Sequence, residues 1–311
     1  MASSDPGFQI SKTKTDSHQA IWVEYQNNKI AEILYRGATL NFLSLSGQPV
    51  IAGYDLASQQ PFVGAKSAIL FPFPNRIDTG SFQFNGNHYQ FPINEPGRQN
   101  AIHGFLMDMD FQLVEEQVAE EETIVVMGCM YDGKLPYFPF PFYFTVQYSF
   151  SNESFAVDFA IQNTGQASMP MGLGWHPYFT LGGRADDWLL HLPASKQVMV
   201  DERMIPTGNS EKLEDFQQPA IIGPRQLDTC FQCDSAGFSI ALTNPQRSQT
   251  LQVTFDTSAG YYQLYIPPDR GSLAIEPMSC SINAFNNRNG LEVLAPERSF
   301  SMRGKVTIKT G

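Results

Sequence analysis

The stretch FYFTVQYSFSNESFAVDFAIQN, residues 142–163, decides the fold. Aromatic and apolar residues recur in it at every second position, first from Phe142 to Phe150 and again from Phe155 to Ile161. Side chains of a β-strand alternate between its two faces, so a two-residue period predicts two strands, each with one face buried.

The same signature spreads outward through LQVTFDT (251–257), YYQLYI (261–266) and KVTIKT (305–310). Turn-forming runs punctuate it: NGN at 85–87, NTG at 163–165, PPDRG at 267–271 and NNRNG at 286–290. The best helical stretch is short, SEKLEDF at 210–216, and no segment sustains a 3.6-residue period over the length of an ordinary helix. Many short strands with frequent turns predict an all-β chain, a sandwich or barrel of antiparallel sheets. With no repeat, low-complexity tract or linker, residues 1–311 read as one domain, its first 15 or so residues a frayed arm or an added edge strand.

Composition narrows the function classes. Hydrophobic residues make up 42% of the 311, enough for a large core and too many for a disordered chain. Twenty Lys and Arg against 31 Asp and Glu give a formal net charge of −11, with no basic cluster to track a phosphate backbone or an anionic membrane. Nucleic acid and membrane are therefore not expected as partners, and a neutral small molecule such as a sugar is. The opening residues MASSDPGFQISKTKTDSHQA lack the basic start and apolar core of a secretory signal. The four cysteines, Cys129, Cys230, Cys233 and Cys280, are too few for a disulfide framework and read as reduced thiols in the cytoplasm. Cys230 and Cys233 have the spacing of a metal or redox pair, but no second ligand pair follows and no βαβ setting surrounds them, so no metal is expected.

Six segments carry groups suited to proton chemistry or to holding hydroxyls. His176 lies in GLGWHPYF (172–179), among aromatic residues and behind two glycines, and His103 stands against Gly104 in NEPGRQNAIHGF (94–105). An imidazole titrates near neutrality and serves as acid or base, whereas many buried histidines only bond to backbone. Arg76 follows Pro74 and Asn75, where its fork of donors can hold sugar oxygens or face solvent. Asp228 in RQLDTCF and Glu276 in LAIEPMSC are carboxylates beside apolar runs, and Glu297 follows Pro296 near the carboxyl end.

Taken in order, PNRIDTGSFQFNG, NAIHGF, GWHPYF, LDTCF, IEPMSCSINAF and the closing LAPE resemble the aldose 1-epimerase (galactose mutarotase-like) family over nearly the whole chain. The resemblance implies a large antiparallel β-sandwich of the supersandwich type whose concave face binds a pyranose. It implies interconversion of the α and β anomers of a free hexose such as galactose or glucose, with no cofactor. His176 would protonate the ring oxygen O5, and His103 and Arg76 would bond sugar oxygens. Asp228 and Asn75 would hold hydroxyls, with Trp175, Tyr178 and Phe179 as apolar walls. The family's closing P-G-E turn would supply the base. This chain reads Pro296-Glu297-Arg298 there, so Glu297 is the expected base, and Glu276, otherwise a sugar-binding residue, is the next carboxylate. Two other readings stay open: a hexose 6-phosphate mutarotase using Arg98 and Arg225, and a sugar-binding protein without catalysis.

Overall fold

Phe142–Phe150 and Ser154–Asn163 pair as antiparallel strands, Phe142 opposite Asn163 and Phe150 opposite Phe155. Every second residue of Phe142–Phe150 is buried, as the period required. The computed structural model describes residues 7–58, 62–235, 237–256 and 258–311. These two strands sit inside a nine-stranded antiparallel sheet. From one edge it runs Gln112–Val118, Thr123–Tyr131, Phe142–Phe150, Ser154–Asn163 and Ser299–Thr310, then Gln249–Phe255, Phe238–Asn244, Leu189–His191 and Ala220–Ile221.

A second antiparallel sheet runs Pro206–Lys212, Ser195–Val200, Asp228–Cys233, Tyr261–Tyr265, Leu273–Met278, Gly174–Trp175 and Ile69–Leu70. The two sheets pack face to face. Trp175 from the second lies 6.1 Å from Phe155 and 6.2 Å from Phe159 of the first, and Phe238 of the first lies 5.2 Å from Tyr262 of the second. Interleaved rings of this kind fill the layer between the sheets of a β-sandwich. The chain is all-β in its architecture, as the alternation and turns indicated.

A five-stranded antiparallel meander over Phe8–Pro49 adjoins the sandwich. Its outermost strand, Phe8–Lys14, pairs along its whole length with Gln19–Tyr25, and Lys12 forms a 2.8 Å ion pair with Glu116. That stretch of the expected arm is thus a paired strand, because its backbone groups find a ladder; residues 1–6 lie outside the described residues. The helical expectation at 210–216 is overturned. Residues up to Lys212 belong to the strand Pro206–Lys212, an exposed sheet edge whose polar side chains need no apolar period. Among the described residues the α-helix is instead one turn, Ala284–Asn287, and no helix is long and apolar enough to cross a membrane.

What positions the site is the middle of the second sheet. The short strands Gly174–Trp175 and Tyr178–Phe179 both pair with Leu273–Met278, Gly174 opposite Met278 and Tyr178 opposite Ala274. The break between them therefore sets His176 and Pro177 alongside Ile275 and Glu276, and the Ile275 N–H donates to the Pro177 carbonyl at 3.3 Å.

Candidate active site

The two-residue alternation continues through the WHPYF segment and divides its side chains between core and cleft. Trp175 and Phe179 are fully buried in the layer between the sheets, and the Trp175 indole N–H donates to the Ser67 carbonyl at 3.2 Å. His176 and Tyr178 face the other way, into a cleft of about 520 Å³ that Asn75, Arg76, His103, Asp228, Gln263, Tyr265 and Glu276 also line. Of the three expected aromatic walls, only Tyr178 is a wall; Trp175 and Phe179 are core, since one strand cannot present adjacent residues to one face. The preceding glycines are steric necessities. A Cβ on Gly172 would lie 2.3 Å from Cys280 Sγ, and one on Gly174 would lie 2.7 Å from Pro74 Cβ.

At the cleft floor, His176 Nε2 lies 3.2 Å from Glu276 Oε1. Both side chains are almost wholly buried, and the imidazole stacks on Tyr178 with ring centroids 4.9 Å apart. The His176 backbone is fixed by its N–H to the Ala68 carbonyl and by the Ser67 N–H to its own carbonyl. Burial disfavours charge on either group. It pushes the Glu276 carboxyl well above the usual range, with the Asp228 carboxylate adding to the rise, and it lowers His176 to about 4. Burial thus favours the form of the pair in which the shared proton sits on Glu276 and His176 is neutral. Glu276 Oε2 is buried and has no hydrogen-bond partner among the described residues.

His103 adds a third titratable side chain, its ring 5.3 Å from that of His176 and nearly perpendicular to it. Asn75 and His103 both adopt left-handed backbone, with φ of 55° and 67°, and clasp one another. The His103 N–H donates to the Asn75 carbonyl at 2.8 Å, and the Asn75 N–H donates to His103 Nδ1 at 3.3 Å. Because a backbone N–H can only donate, Nδ1 is an acceptor and the ring proton of neutral His103 sits on Nε2. Burial, with the neighbouring His176 and Arg76, holds His103 well below its usual range, so it is a neutral donor. Gly104 follows with φ of 66°, where a Cβ would lie 2.1 Å from the Phe71 carbonyl oxygen, so this turn admits only glycine.

Polar groups continue along the wall as a chain. Gln263, opposite Glu276 in the sheet register, donates to Asp228 Oδ1 at 2.6 Å and accepts from Asn75 Nδ2 at 3.3 Å. Asn75 Oδ1 accepts from Arg76 Nη1 at 3.1 Å, and the other side of the Arg76 guanidinium is gripped by Glu95, Nε to Oε2 at 2.8 Å and Nη2 to Oε1 at 2.9 Å. His176, His103, Arg76, Asn75, Asp228 and Glu276 thus converge on one cleft although they are spread over 200 residues of sequence. Gln263, Tyr265 and Glu95 escaped the sequence reading. A glutamine inside the apolar run YYQLYI was the available signal, because a polar residue at a buried strand position needs a partner or a purpose.

Known proteins bear on this arrangement directly. A family profile described as aldose 1-epimerase matches residues 23–307. The chain belongs to the aldose 1-epimerase family. The uncharacterized protein YihR of Escherichia coli (strain K12) is 34% identical over 238 residues, 74% of either chain. The human galactose mutarotase is 28% identical over 178 residues, 55% of this chain and 49% of that one. A solved galactose mutarotase-like protein from Clostridium acetobutylicum has a TM-score of 0.86 at 20% identity and covers 98% of this chain and 99% of that one, a likeness of fold.

Within the family frame, the closing turn does not do what was expected of it. Glu297 is exposed, with φ of 63°, and its N–H donates to the Asn163 carbonyl at 2.9 Å. That turn leads into Ser299–Thr310, a strand of the nine-stranded sheet, whereas the cleft is built on the other sheet. Glu297 is not among the residues lining the cleft, and the carboxylate beside His176 is Glu276. Changing Glu297→Gln is expected to leave both stability and any sugar turnover within about twofold, the usual range for an exposed side chain without buried partners. Parallel polarimetry and urea titration of the variant check this.

Proposed function

We propose that this protein is an aldose 1-epimerase that interconverts the anomers of a free hexose, with Glu276 as base and His176 as acid. The observation that carries the reading is the buried 3.2 Å contact between His176 Nε2 and Glu276 Oε1 at the floor of a cleft. Opening a hemiacetal ring requires one proton to leave the O1 hydroxyl while another reaches O5, and a pair that holds one mobile proton is suited to that exchange.

The cycle follows from proton counting. A closed pyranose, whose O1 hydroxyl donates to Glu276 and whose O5 accepts from His176, favours the carboxylate–imidazolium form. Transfer of the O1 proton to Glu276 and of the His176 proton to O5 opens the ring, leaving a carboxylic acid and a neutral imidazole beside the aldehyde. After rotation about C1–C2, the same two protons return and the other anomer closes. The neutral form that burial favours in the empty cleft is the one that faces the open chain. His103 Nε2–H and the free Arg76 N–H groups would donate to sugar oxygens, while Asp228 would accept from hydroxyls and fix their order. Well-placed acid–base groups of this kind each contribute about 10²–10⁴ in rate.

The test is the optical rotation of freshly dissolved α-glucose and α-galactose with and without protein. Catalysis is expected across a broad neutral plateau. Activity falls on the acid side as His176 takes up a second proton near pH 4, and on the alkaline side as Glu276 gives up the only one. An acid limb near 6.5, the value of a solvated imidazole, would contradict the buried one-proton pair. Of the two cations weighed for a 6-phosphate, Arg225 lines a separate depression with Phe216 and Asp215, and only Arg98 reaches this cleft.

A further inference from the structure

Three charged side chains meet behind the cleft wall in a way that the proton chemistry does not use. Arg76 and Arg98 both line the cleft, and Glu95, which does not, stands behind them. Glu95 takes two hydrogen bonds from Arg76, at 2.8 and 2.9 Å, and one from Arg98 Nη1 at 2.9 Å. The Asn100 amide adds a fourth at 3.2 Å, so both carboxylate oxygens are fully engaged. The loop carrying Glu95 is itself strapped down. Its N–H donates to the Asn100 carbonyl at 3.1 Å, and Asn100, with no exposed surface, also bonds to the Arg203 carbonyl at 2.8 Å. The Glu95 side chain is only 17% exposed. Burial works against its ionisation, but Arg76, Arg98 and Asn100 outweigh burial and hold it at about 2, so it is charged at any working pH.

A cleft that recognised an anionic sugar would need guanidinium charge left unpaired on its wall, as phosphate and carboxylate sites do. Here the two guanidiniums share the Glu95 carboxylate behind them, and Asp228 adds a second carboxylate to the lining, so the charges of the two signs balance. We propose that Glu95 is a specificity-determining and positioning residue that cancels one of the two guanidinium charges of the Arg76–Arg98 pair, with the Asp228 carboxylate on the same cleft offsetting the other, so that the cleft takes neutral aldoses and rejects sugars bearing a carboxylate or phosphate. The inference rests on the cleft being a sugar site, as in the reading above, and adds the class of sugar. Glu95 does not touch the sugar; it acts through Arg76, whose remaining donors it aims at the cleft, and through the field it cancels.

The experiment measures equilibrium binding by calorimetry and mutarotation by polarimetry, for galactose and galacturonate, on the wild-type chain, Glu95→Gln and Glu95→Asp. The wild type is expected to bind and turn over galactose in preference to galacturonate. Glu95→Gln keeps the shape and an acceptor but drops the charge. It is expected to shift the galacturonate-to-galactose ratio, in binding and in kcat/KM, roughly ten- to hundredfold toward the anion, with the shift shrinking as salt is raised. Its galactose kcat/KM falls as well, since Arg76 loses half of its clamp. Glu95→Asp, which restores charge, returns the ratio toward wild type, a rescue that a merely structural role would not produce. A wild type that takes galacturonate as well as galactose, or a Glu95→Gln ratio unchanged in a variant that melts normally, overturns the assignment and leaves the mutarotase reading standing. The expected binding ratios without any turnover would sink the mutarotase reading and leave this one in place.

Discussion

Replacing Glu276 by glutamine is expected to slow mutarotation by about 10²–10⁴ while leaving the fold intact, because the change removes one of the two proton-transfer groups and nothing of comparable bulk. The amide can still accept a hydrogen bond and sits in the same strand, Leu273–Met278, whose six residues are all buried. It cannot take the O1 proton, so the loss falls on kcat rather than on KM. Stability changes little, since the amide has the shape of the protonated carboxyl group and its N–H can donate to His176 Nε2 in that group's place. Polarimetric progress curves at several sugar concentrations, with urea unfolding of the same variant, separate the two effects. A Glu276→Gln protein within tenfold of wild type would show that the proton leaves O1 by another route.

The largest stability effect is expected at the neighbouring side chain that faces the other way. Trp175→Ala should destabilise the protein by about 3–5 kcal/mol, the usual cost of emptying a large core site. The ring is wholly buried and packs against Phe155, Phe159, Phe179 and Phe255 from both sheets, so its loss leaves a void that four rigid rings cannot close. Its indole N–H also leaves the Ser67 carbonyl unpaired in a dry layer. Trp175→Phe should recover most of the loss, retaining the volume but not the hydrogen bond. Equilibrium unfolding in urea measures both, and a Trp175→Ala variant weakened by less than about 1 kcal/mol would mean that the sheets close over the gap.

These two neighbours also explain what the sequence could and could not reveal. The strands were legible because alternation is a local signal; Phe142–Phe150 needs no knowledge of its partner to read as half-buried. The histidines were legible because glycine, proline and aromatic residues crowd around them for steric reasons that the structure bears out at Gly104, Gly172 and Gly174. The carboxylate was not. Glu276 and Glu297 both lie next to a proline near a strand, and only the sheet order decides which of them comes to His176. The turn at Pro296 looked favourable by its place in a motif, but it leads into the wrong sheet. The same reason hid Gln263 and Glu95, whose partners lie at sequence separations that no local pattern encodes. Conversely, SEKLEDF at 210–216 read as a helix because exposed edge residues are free of the apolar alternation that marks interior strands.

On the proposed reading, the contact between His176 and Glu276 bears on how a sugar is captured. Each group is the other's stand-in for substrate, so a sugar enters only by parting them, trading one internal bond for two of its own. Weak initial capture is the natural result. The same symmetry means that a departing anomer of either hand leaves the two groups as the incoming one found them, and the machinery has no preferred direction to be rewound.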